Sequence, residues 1–217
     1  MTTTASTTTT RWWWVRHAPV TANDGCVYGN TDMPCDTDNE AVFKGLAARL
    51  PKDAVWITSA LKRTHQTAAA IVRAGLPGPD PIPGPGVVVE PQLNEQSFGE
   101  WHGKRYVDLP KLLGEAYHRF WIAPVSMAPK GGESFLDLLA RIRPAIRRLD
   151  EDYAGRDIIA VAHGGTIRAA LAEALDLSPE TALAFKIENC SLTCIVRHRD
   201  SVNGHPWQVV AVNQSPI

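Results

Sequence analysis

The chain has 217 residues, a length that suits one α/β domain with a single substantial core. Its 22 basic and 23 acidic residues give a formal net charge of −1, which excludes a general basic field for nucleic acid or an anionic membrane. Any positive potential must be local, built from a few converging arginines. We therefore expect a small molecule as the partner, no nucleic acid and no membrane, and a monomer or homodimer.

The first ten residues, MTTTASTTTT, lack the basic start and apolar stretch of a secretory signal. No later segment approaches the roughly 18 consecutive apolar residues that a membrane-spanning helix needs. We expect a cytoplasmic protein. A threonine-rich segment buries too little apolar area to offset its ordering entropy, so we predict a disordered tail over residues 1–10 and a single domain over residues 11–217.

Six segments are typical of strands, and helical patterns separate most of them. The predicted strands cover residues 11–15, 54–58, 87–90, 157–162, 190–197 and 207–213. The first predicted helix opens near Ser59 and stops at Gly75, and a loop rich in proline and glycine follows over residues 75–86.

A second predicted helix has the clearest periodicity in the chain. Ser134 is its expected cap, with Asp137 three residues on, and Pro144 predicts a kink or a restart within it. Its apolar positions are Phe135, Leu138, Leu139, Ile142, Ile146 and Leu149. A third helix is expected from Gly164 to about Leu175. This alternation predicts a three-layer α/β/α sandwich with a mostly parallel central sheet and a small cap segment over about residues 104–130.

Four cysteines and seven histidines raise the alternative of a metal protein. The spacings of the cysteines match no common zinc pattern, and no HxxxH or HExxH spacing appears among the histidines. If Cys190 and Cys194 share a strand, they lie about 13 Å apart, too far to form a disulfide. We expect unpaired thiols, no metal and no cofactor. The four cysteines are Cys26, Cys35, Cys190 and Cys194.

Three polar motifs each follow the end of a predicted strand. Arg16 and His17 follow the first strand, Arg63 lies just after the second, and His163 with Gly164 follows the fourth. In open α/β sheets that edge is where ligands bind, because loops and helix N-termini converge there. The sequence thus predicts a site at this edge.

The chemistry of these residues suits a phosphate group. Arg16 and Arg63 can hold a tetrahedral dianion, and the backbone N–H at Gly164, where a helix begins, offers a further donor. A neutral His17 can attack phosphorus, since neighbouring cations hold down its pKa. His163 would donate a hydrogen bond to the phosphoryl oxygens as charge shifts in the transition state.

Glu95, in the loop Leu93 to Gly99, is the candidate general acid that protonates the leaving oxygen and then activates water. Each residue taken alone has an ordinary structural explanation. Arg63 would balance a surface carboxylate, Glu95 would be solvated, and His163 would be a turn residue. The four pieces together favour phosphoryl transfer through a histidine.

These motifs closely resemble those of the histidine phosphatase superfamily, the phosphoglycerate-mutase-like proteins. The resemblance rests on Val15 to Ala18, Thr58 to Ala68, Leu93 to Gly103, Gly131 to Ser134 and Val161 to Arg168. It implies a metal-independent phosphatase or mutase that holds phosphate with Arg16, His17, Arg63 and His163 and uses Glu95 as the acid. Asn23 lies where many members carry a phosphate-contacting asparagine. The chain departs from the family pattern at Ala18, Pro19 and Ala60.

The resemblance favours hydrolysis of a small phosphorylated metabolite over phosphate transfer. Family mutases tend to have a longer insertion after the acidic block and a Glu-Ser pair where this chain has Pro19 and Val20. Residues 25–34 are similar to a stretch in α-ribazole phosphatase-like members, which points to α-ribazole 5′-phosphate. A mutase, and a regulatory module that binds phosphoesters with little catalysis, are the alternatives; the altered loop at Ala18 and Pro19 motivates the second.

Substrate selection is expected in the cap segment. Its aromatic and histidine side chains either stack on a substrate base or pack a small core of the cap, and packing is the favoured interpretation. These residues are Tyr106, Tyr117, His118, Phe120 and Trp121.

Overall fold

Six strands form one mixed sheet in the computed structural model, which describes residues 9–115, 117–118, 125–199 and 205–217. The strands are β1 (Thr9–Arg16), β2 (Val55–Thr58), β3 (Val87–Val89), β4 (Asp157–Ala162), β5 (Leu192–His198) and β6 (Trp207–Gln214). Each lies within two residues of a predicted strand at either end. The residues expected to form the tail fall mostly on 1–8, outside the described residues.

The strand order is β3-β2-β4-β1-β5-β6. The first four run parallel, β5 is antiparallel to β1, and β6 is antiparallel to β5. The prediction of a mostly parallel sheet is therefore confirmed. In the register of the two central strands, Arg16 of β1 pairs with Ala162 of β4. The two chain segments that follow these residues therefore emerge side by side.

Helices cover both faces of the sheet. They are α1 (Glu40–Arg49), α2 (Lys62–Arg73), α3 (Leu109–Leu113), α4 (Phe135–Asp152), α5 (Gly164–Leu175) and α6 (Pro179–Leu183), with short 3₁₀ turns at Pro91–Leu93 and Gly99–Trp101. Among the described helices, none is both long and apolar enough to cross a membrane.

Two cores form because successive side chains of a strand point to opposite faces. In β4, Ile158 and Ala160 pack with α4 and α5, whereas Ile159 and Val161 pack with α1 and α2. The prediction of three α/β/α layers is confirmed by these two cores.

The first strand begins at Thr9, two residues before the predicted start. Thr10 is fully buried, and its hydroxyl accepts a hydrogen bond from the Gly155 N–H at 3.0 Å. The predicted tail boundary at residue 10 is therefore too late. Trp12 and Trp14 stack on one face of β1 with ring centroids 5.0 Å apart. A hydrophilic stretch of threonines hid this extension, because threonine is favoured in strands only where it packs.

Helix α4 is continuous through Pro144, so the predicted restart is wrong. The buried face runs unbroken across the proline through Ile142, Ala145 and Ile146. This packing offsets the one backbone hydrogen bond that proline cannot make. The predicted capping box is confirmed, since Ser134 and Asp137 exchange side-chain and backbone hydrogen bonds.

Helix α1 was not predicted, although its sequence carries the signals. The Asn39 side chain caps its first turn by accepting from the Val42 N–H, and Glu40 follows at the positive end of the helix dipole. Phe43 and Leu46, three residues apart, bury one face. The spacing of the apolar residues and the Asn39 cap together predict this helix.

The described part of the cap segment packs into a small core that it shares with residues outside the cap. Leu109 forms the buried centre together with Val27 and Trp101, and Tyr117 packs against it, so packing, the favoured interpretation, is confirmed for Tyr117. Tyr106 is exposed. The predicted contributions of Phe120 and Trp121 lie outside the described residues. All four cysteines are free thiols. Cys190 precedes β5 in a left-handed conformation, with φ of 58°, so it does not share the strand with Cys194.

Candidate active site

Two histidines meet at the carboxyl edge of the sheet. His17 follows β1 and His163 follows β4, and the parallel register of these neighbouring strands brings the two ring centroids to 5.1 Å. Both side chains are buried, with 1% and 0% exposed. The predicted convergence of the two histidines is therefore what the structure shows.

The hydrogen bond of His17 fixes the position of its proton. Nδ1 lies 2.7 Å from the backbone oxygen of Ala18, an atom that can only accept, so Nδ1 carries the hydrogen of the neutral ring. In the described part of the chain, Nε2 makes no hydrogen bond. Burial, followed by the charge of Arg63, holds the pKa of His17 well below its usual value. The ring is thus neutral at physiological pH, with the lone pair of Nε2 available.

His163 is held from both of its ring nitrogens. Arg63 Nε donates to Nδ1 at 3.3 Å, and Nε2 lies 2.8 Å from Ser59 Oγ, to which it therefore donates. Burial is the main reason that the pKa of His163 is well below its usual value, and the charges of His17 and Arg63 add to it. A bound anion would oppose these effects and favour a proton on Nδ1.

Arg63, at the start of α2, is fully buried. Its Nη1 donates to Thr31 O and its Nη2 to Gly29 O, both at 2.7 Å, and Tyr28 lies under the guanidinium, 5.3 Å from the ring centroid. Each Nη nitrogen carries two hydrogens, so one on each remains for an anion. The position of Arg63 is therefore set before any ligand binds.

Arg16 is held by one hydrogen bond, from Nη1 to Ile187 O at 2.6 Å. Its Nε is buried and has no hydrogen-bond partner among the described residues. A Cβ added at Gly164 would lie 3.6 Å from this Nε and 3.4 Å from Nη1 of Arg168. Two guanidinium groups thus flank the first residue of α5, where the helix dipole also favours an anion.

Arg168 is a site residue that the sequence reasoning did not assign. It lies four residues after Gly164 on α5, and its Nε donates to Phe185 O at 2.7 Å. Residues four apart share one face of a helix, so this spacing was the available signal.

Glu95 caps the beginning of α5. The Gly165 N–H lies 3.2 and 3.3 Å from the two carboxylate oxygens, and the Gln96 N–H donates to Oε1 at 3.0 Å. A Cβ at Gly165 would come within 2.4 Å of Oε1, so only glycine permits this approach. The carboxyl group of Glu95 is therefore fixed at the start of α5, the helix that follows His163.

A cavity of about 170 Å³ opens beside Glu95. Its lining includes Arg16, Tyr28, Glu95, Phe98, Tyr106 and Arg168. The arginines supply positive charge at one end, and the aromatic rings supply an apolar wall. Such a cavity can accept a charged phosphoryl group with a carbon skeleton attached.

Asn23 lies apart from this arrangement. Its amide donates to Cys26 O at 2.9 Å, and it lines a separate cavity near Thr31 and Met33. Its predicted contact with phosphate stays a prediction. Among the residues that the structure describes, no group of three or more His, Cys, Asp or Glu side chains is arranged to hold a metal ion.

The sequence matches the family model of the histidine phosphatase superfamily (branch 1) over residues 12–214. Bifunctional protein Rv2228c of Mycobacterium tuberculosis is 30% identical over 171 residues, which are 79% of this chain and 43% of that protein. The chain thus spans less than half the length of this relative.

Two further relatives have different activities in their names. The 2,3-bisphosphoglycerate-dependent phosphoglycerate mutase 2 of Gloeobacter violaceus is 36% identical over 139 residues, 63% of this chain and 61% of that protein. The adenosylcobalamin/alpha-ribazole phosphatase of Salmonella typhimurium is 29% identical over 178 residues, 80% of this chain and 84% of that protein. Phosphatases and mutases are therefore both similar to this chain.

Solved structures show the same fold. The alpha-ribazole phosphatase from Shigella flexneri superposes with a TM-score of 0.76 at 23% identity, covering 94% of this chain and 96% of that one. A mycobacterial glucosyl-3-phosphoglycerate phosphatase, Rv2419c, in complex with VO3, superposes with a TM-score of 0.75 at 25% identity. The match covers 94% of this chain and 99% of that one. With its sheet, its paired histidines and a family match over nearly its whole length, the chain belongs to branch 1 of the histidine phosphatase superfamily.

Proposed function

We propose that the chain is a phosphomonoesterase that acts through a phosphohistidine at His17. The observation that carries this proposal is the 2.7 Å contact between His17 Nδ1 and Ala18 O, which assigns the proton of the neutral ring to Nδ1 and leaves Nε2 with its lone pair and without a hydrogen bond in the described part of the chain. A nucleophile needs such a lone pair. The charges of Arg63 and Arg16 act on the ring, and the start of α5 offers a further donor for a dianion.

In the first half-reaction, His17 Nε2 forms a bond to phosphorus while the bond from phosphorus to the ester oxygen breaks. Arg16 and Arg63 stabilise the phosphoryl oxygens. Once an anion raises the proton affinity of His163, a second proton on its Nδ1 replaces the hydrogen bond from Arg63 Nε and is donated to these oxygens. Protonated Glu95 gives its proton to the leaving oxygen, so that an alcohol departs. The guanidinium groups supply the positive charge that a metal ion supplies in other phosphatases.

In the second half-reaction, water attacks the phosphohistidine. Glu95, now ionised, takes a proton from the water as the bond between phosphorus and nitrogen breaks. Inorganic phosphate leaves, and His17 regains its lone pair. One carboxyl group thus serves both steps, which fits the single carboxylate in the cavity lining.

The substrate we propose is a small phosphorylated metabolite, with α-ribazole 5′-phosphate as the first candidate. This rests on the similarity to the Salmonella phosphatase, of which the chain covers 84%. The aromatic wall of Tyr28, Phe98 and Tyr106 would receive the alcohol part of such a substrate.

Phosphate transfer in a mutase is the second candidate function. The 36% identity to the Gloeobacter enzyme favours it. A mutase returns the phosphoryl group to an alcohol, whereas a phosphatase gives it to water, so the two differ in the acceptor of the second half-reaction. The products distinguish them directly.

The experiment that tests the proposal is phosphate release from a panel of phosphomonoesters in the presence of EDTA. The panel includes α-ribazole 5′-phosphate, phosphoglycerates and nucleoside monophosphates. We expect release without added metal and a loss of at least about 10⁴-fold in His17→Ala. The matched control is His198→Asn, at the end of β5, which should keep full activity.

Three results would contradict the proposal. Turnover that requires metal, or that survives in His17→Ala, removes the phosphohistidine mechanism. Isomerised phosphoglycerate without free phosphate identifies a mutase. Tight binding of phosphoesters without turnover across the panel identifies the regulatory module.

A further inference from the structure

The peptide bond that links His17 to Ala18 is held at both of its polar atoms by side chains from elsewhere in the fold. Asn189 Nδ2 donates to the His17 carbonyl oxygen at 2.8 Å. On the other side, the Ala18 N–H donates to Thr67 Oγ1 at 2.9 Å. Neither Thr67 nor Asn189 is needed for the reaction steps described above.

Thr67 connects this peptide to the helix that carries Arg63. It lies one turn after Arg63 on α2, is fully buried, and donates its own hydroxyl hydrogen to Arg63 O at 2.7 Å. The hydroxyl therefore accepts from the Ala18 N–H and donates to Arg63 O, and Cys35 Sγ lies 3.6 Å from the same oxygen. The two hydrogen bonds to the backbone are directional, so the distance between Ala18 and the start of α2 is fixed.

Asn189 reaches the same peptide from the segment between α6 and β5. That segment also makes three hydrogen bonds with Arg16: Arg16 Nη1 donates to Ile187 O at 2.6 Å, the Arg16 N–H donates to Ser191 O at 3.2 Å, and the Cys190 N–H donates to Arg16 O at 2.9 Å. It therefore holds Arg16 and His17 as one unit from the side opposite to Thr67.

Ala18 O, which belongs to the next peptide bond along the chain, determines which nitrogen of His17 carries the proton, and the 17–18 peptide sets where Ala18 lies. Ala18 O accepts from Nδ1 at 2.7 Å, and Ala18 is placed by the hydrogen bond from its N–H to Thr67. A neutral imidazole can hold its hydrogen on either nitrogen. If Ala18 O moved away, the proton would be free to occupy Nε2, which would then have no lone pair for attack on phosphorus.

We propose that Thr67 and Asn189 are positioning residues that keep His17 in the Nδ1–H tautomer, with Nε2 directed at the phosphoryl group. The proposal rests on the proposed function, because it assigns the tautomer that nucleophilic attack needs. Neither side chain touches the substrate in this assignment. Their effect on the reaction passes through the 17–18 peptide and Ala18 O.

The test compares two fully buried threonines that each accept a backbone N–H. Thr67→Val removes the hydroxyl beside Ala18, and Thr10→Val removes the one that binds Gly155 N–H at the opposite edge of the sheet. We expect Thr67→Val to lower kcat about 30-fold, since small misplacements of a reacting group cost up to about 100-fold. KM and the vanadate dissociation constant should stay within about threefold of the wild-type values.

The control variants separate positioning from folding. Thr10→Val should lose comparable thermal stability and keep its kcat, and Thr67→Ser, which retains the hydroxyl, should recover kcat to within about threefold of wild type. Asn189→Ala should lower kcat about tenfold, and the double variant with Thr67→Val should lose less than the two losses multiplied. Equal kcat losses in Thr67→Val and Thr10→Val would overturn the proposal.

A spectroscopic measurement decides the tautomer without any turnover. In ¹⁵N NMR of histidine-labelled protein, with His17 assigned by its absence in His17→Ala, we expect one Nδ1–H form in the wild type and a mixture in Thr67→Val. An unchanged pure Nδ1–H form in Thr67→Val would overturn the proposal. If the wild type showed this form yet released no phosphate, the proposed function would fail while the positioning of His17 stood.

Discussion

The two sides of the active site differ sharply in how tightly the fold holds them. On the phosphate side, Arg63 and His163 are completely buried and His17 is 1% exposed. On the side that would receive the alcohol, Tyr106 is 42% exposed and belongs to the cap segment. Buried groups are fixed by the sheet, whereas exposed ones can change without loss of the core.

This difference separates chemistry from substrate choice. Under the proposed mechanism, the buried side would supply positive charge and the nucleophile, which the transfer of a phosphoryl group from any phosphoester requires. The aromatic wall and the cap would contact only the alcohol part of the substrate, which differs from one phosphoester to another. The mixture of phosphatases and a mutase among similar proteins is what such a division would produce.

After His17 itself, the largest effect is expected from Glu95, which lies between the two sides. Glu95→Gln keeps the shape but cannot give up a proton, so kcat should fall about 10³-fold, or about 4 kcal/mol. Vanadate binding should change less than threefold. Glu100→Gln is the control, since this exposed carboxylate five residues along pairs only with Lys130 in the described structure. A loss of vanadate binding in Glu95→Gln would make Glu95 structural.

The buried side should make stability depend on pH. The pKa values of His17 and His163 are lowered in the folded state, so the unfolded chain binds more protons below about pH 6.5. The contribution of these two histidines to the free energy of unfolding is therefore fully present above that pH. It is lost as the pH falls toward the folded-state pKa values. Denaturant unfolding should show a slope of up to about 2.7 kcal/mol per pH unit, and His163→Asn should reduce it. A free energy of unfolding that does not change between pH 6.5 and 5 would show that His17 and His163 are not held neutral in the folded state.

A substitution at Gly165 tests the close contact that fixes the position of the Glu95 carboxyl group. An alanine Cβ would lie 2.4 Å from Glu95 Oε1 and would push the carboxyl group away, whereas the nearest atom at Gly164 is 3.4 Å distant. Gly165→Ala should lower kcat about 30-fold, or about 2 kcal/mol, and Gly164→Ala should lose much less. Steady-state kinetics on one substrate compares them. Equal losses of kcat in the two variants would mean that the flexibility of the helix start, and not the position of Glu95, controls the rate.

The smallest effect is expected on the exposed side. Tyr106→Ala should lower kcat/KM for α-ribazole 5′-phosphate about fivefold, or about 1 kcal/mol, and should leave p-nitrophenyl phosphate within twofold. Val107→Ala is the control, because Val107 is 70% exposed. An equal loss on both substrates would place Tyr106 in the chemistry and would weaken the division between the two sides.

Much of this architecture was predictable from local sequence. The apolar strand runs, the Ser134 capping box and the glycines after His163 each specify a conformation with few alternatives. The placement of Arg16, Arg63 and His163 at strand ends then predicts their convergence, because parallel strands end at one edge.

The supporting contacts were not predictable in the same way. Asn189 reaches His17 from 172 residues away, and the approach of Glu95 to Gly165 spans 70 residues. Such contacts depend on loop paths that periodicity does not specify. The restart predicted at Pro144 was wrong for a related reason, since tertiary packing outweighed a local preference.

Trapping a phosphorylated form of the protein tests the proposed phosphohistidine at His17 most directly. The protein is mixed with a ³²P-labelled substrate, quenched in alkali within milliseconds, and mapped by mass spectrometry. We expect label on His17, at Nε2, that forms before steady state and is absent in His17→Ala. Label on His163, or full turnover with no labelled histidine, would contradict it.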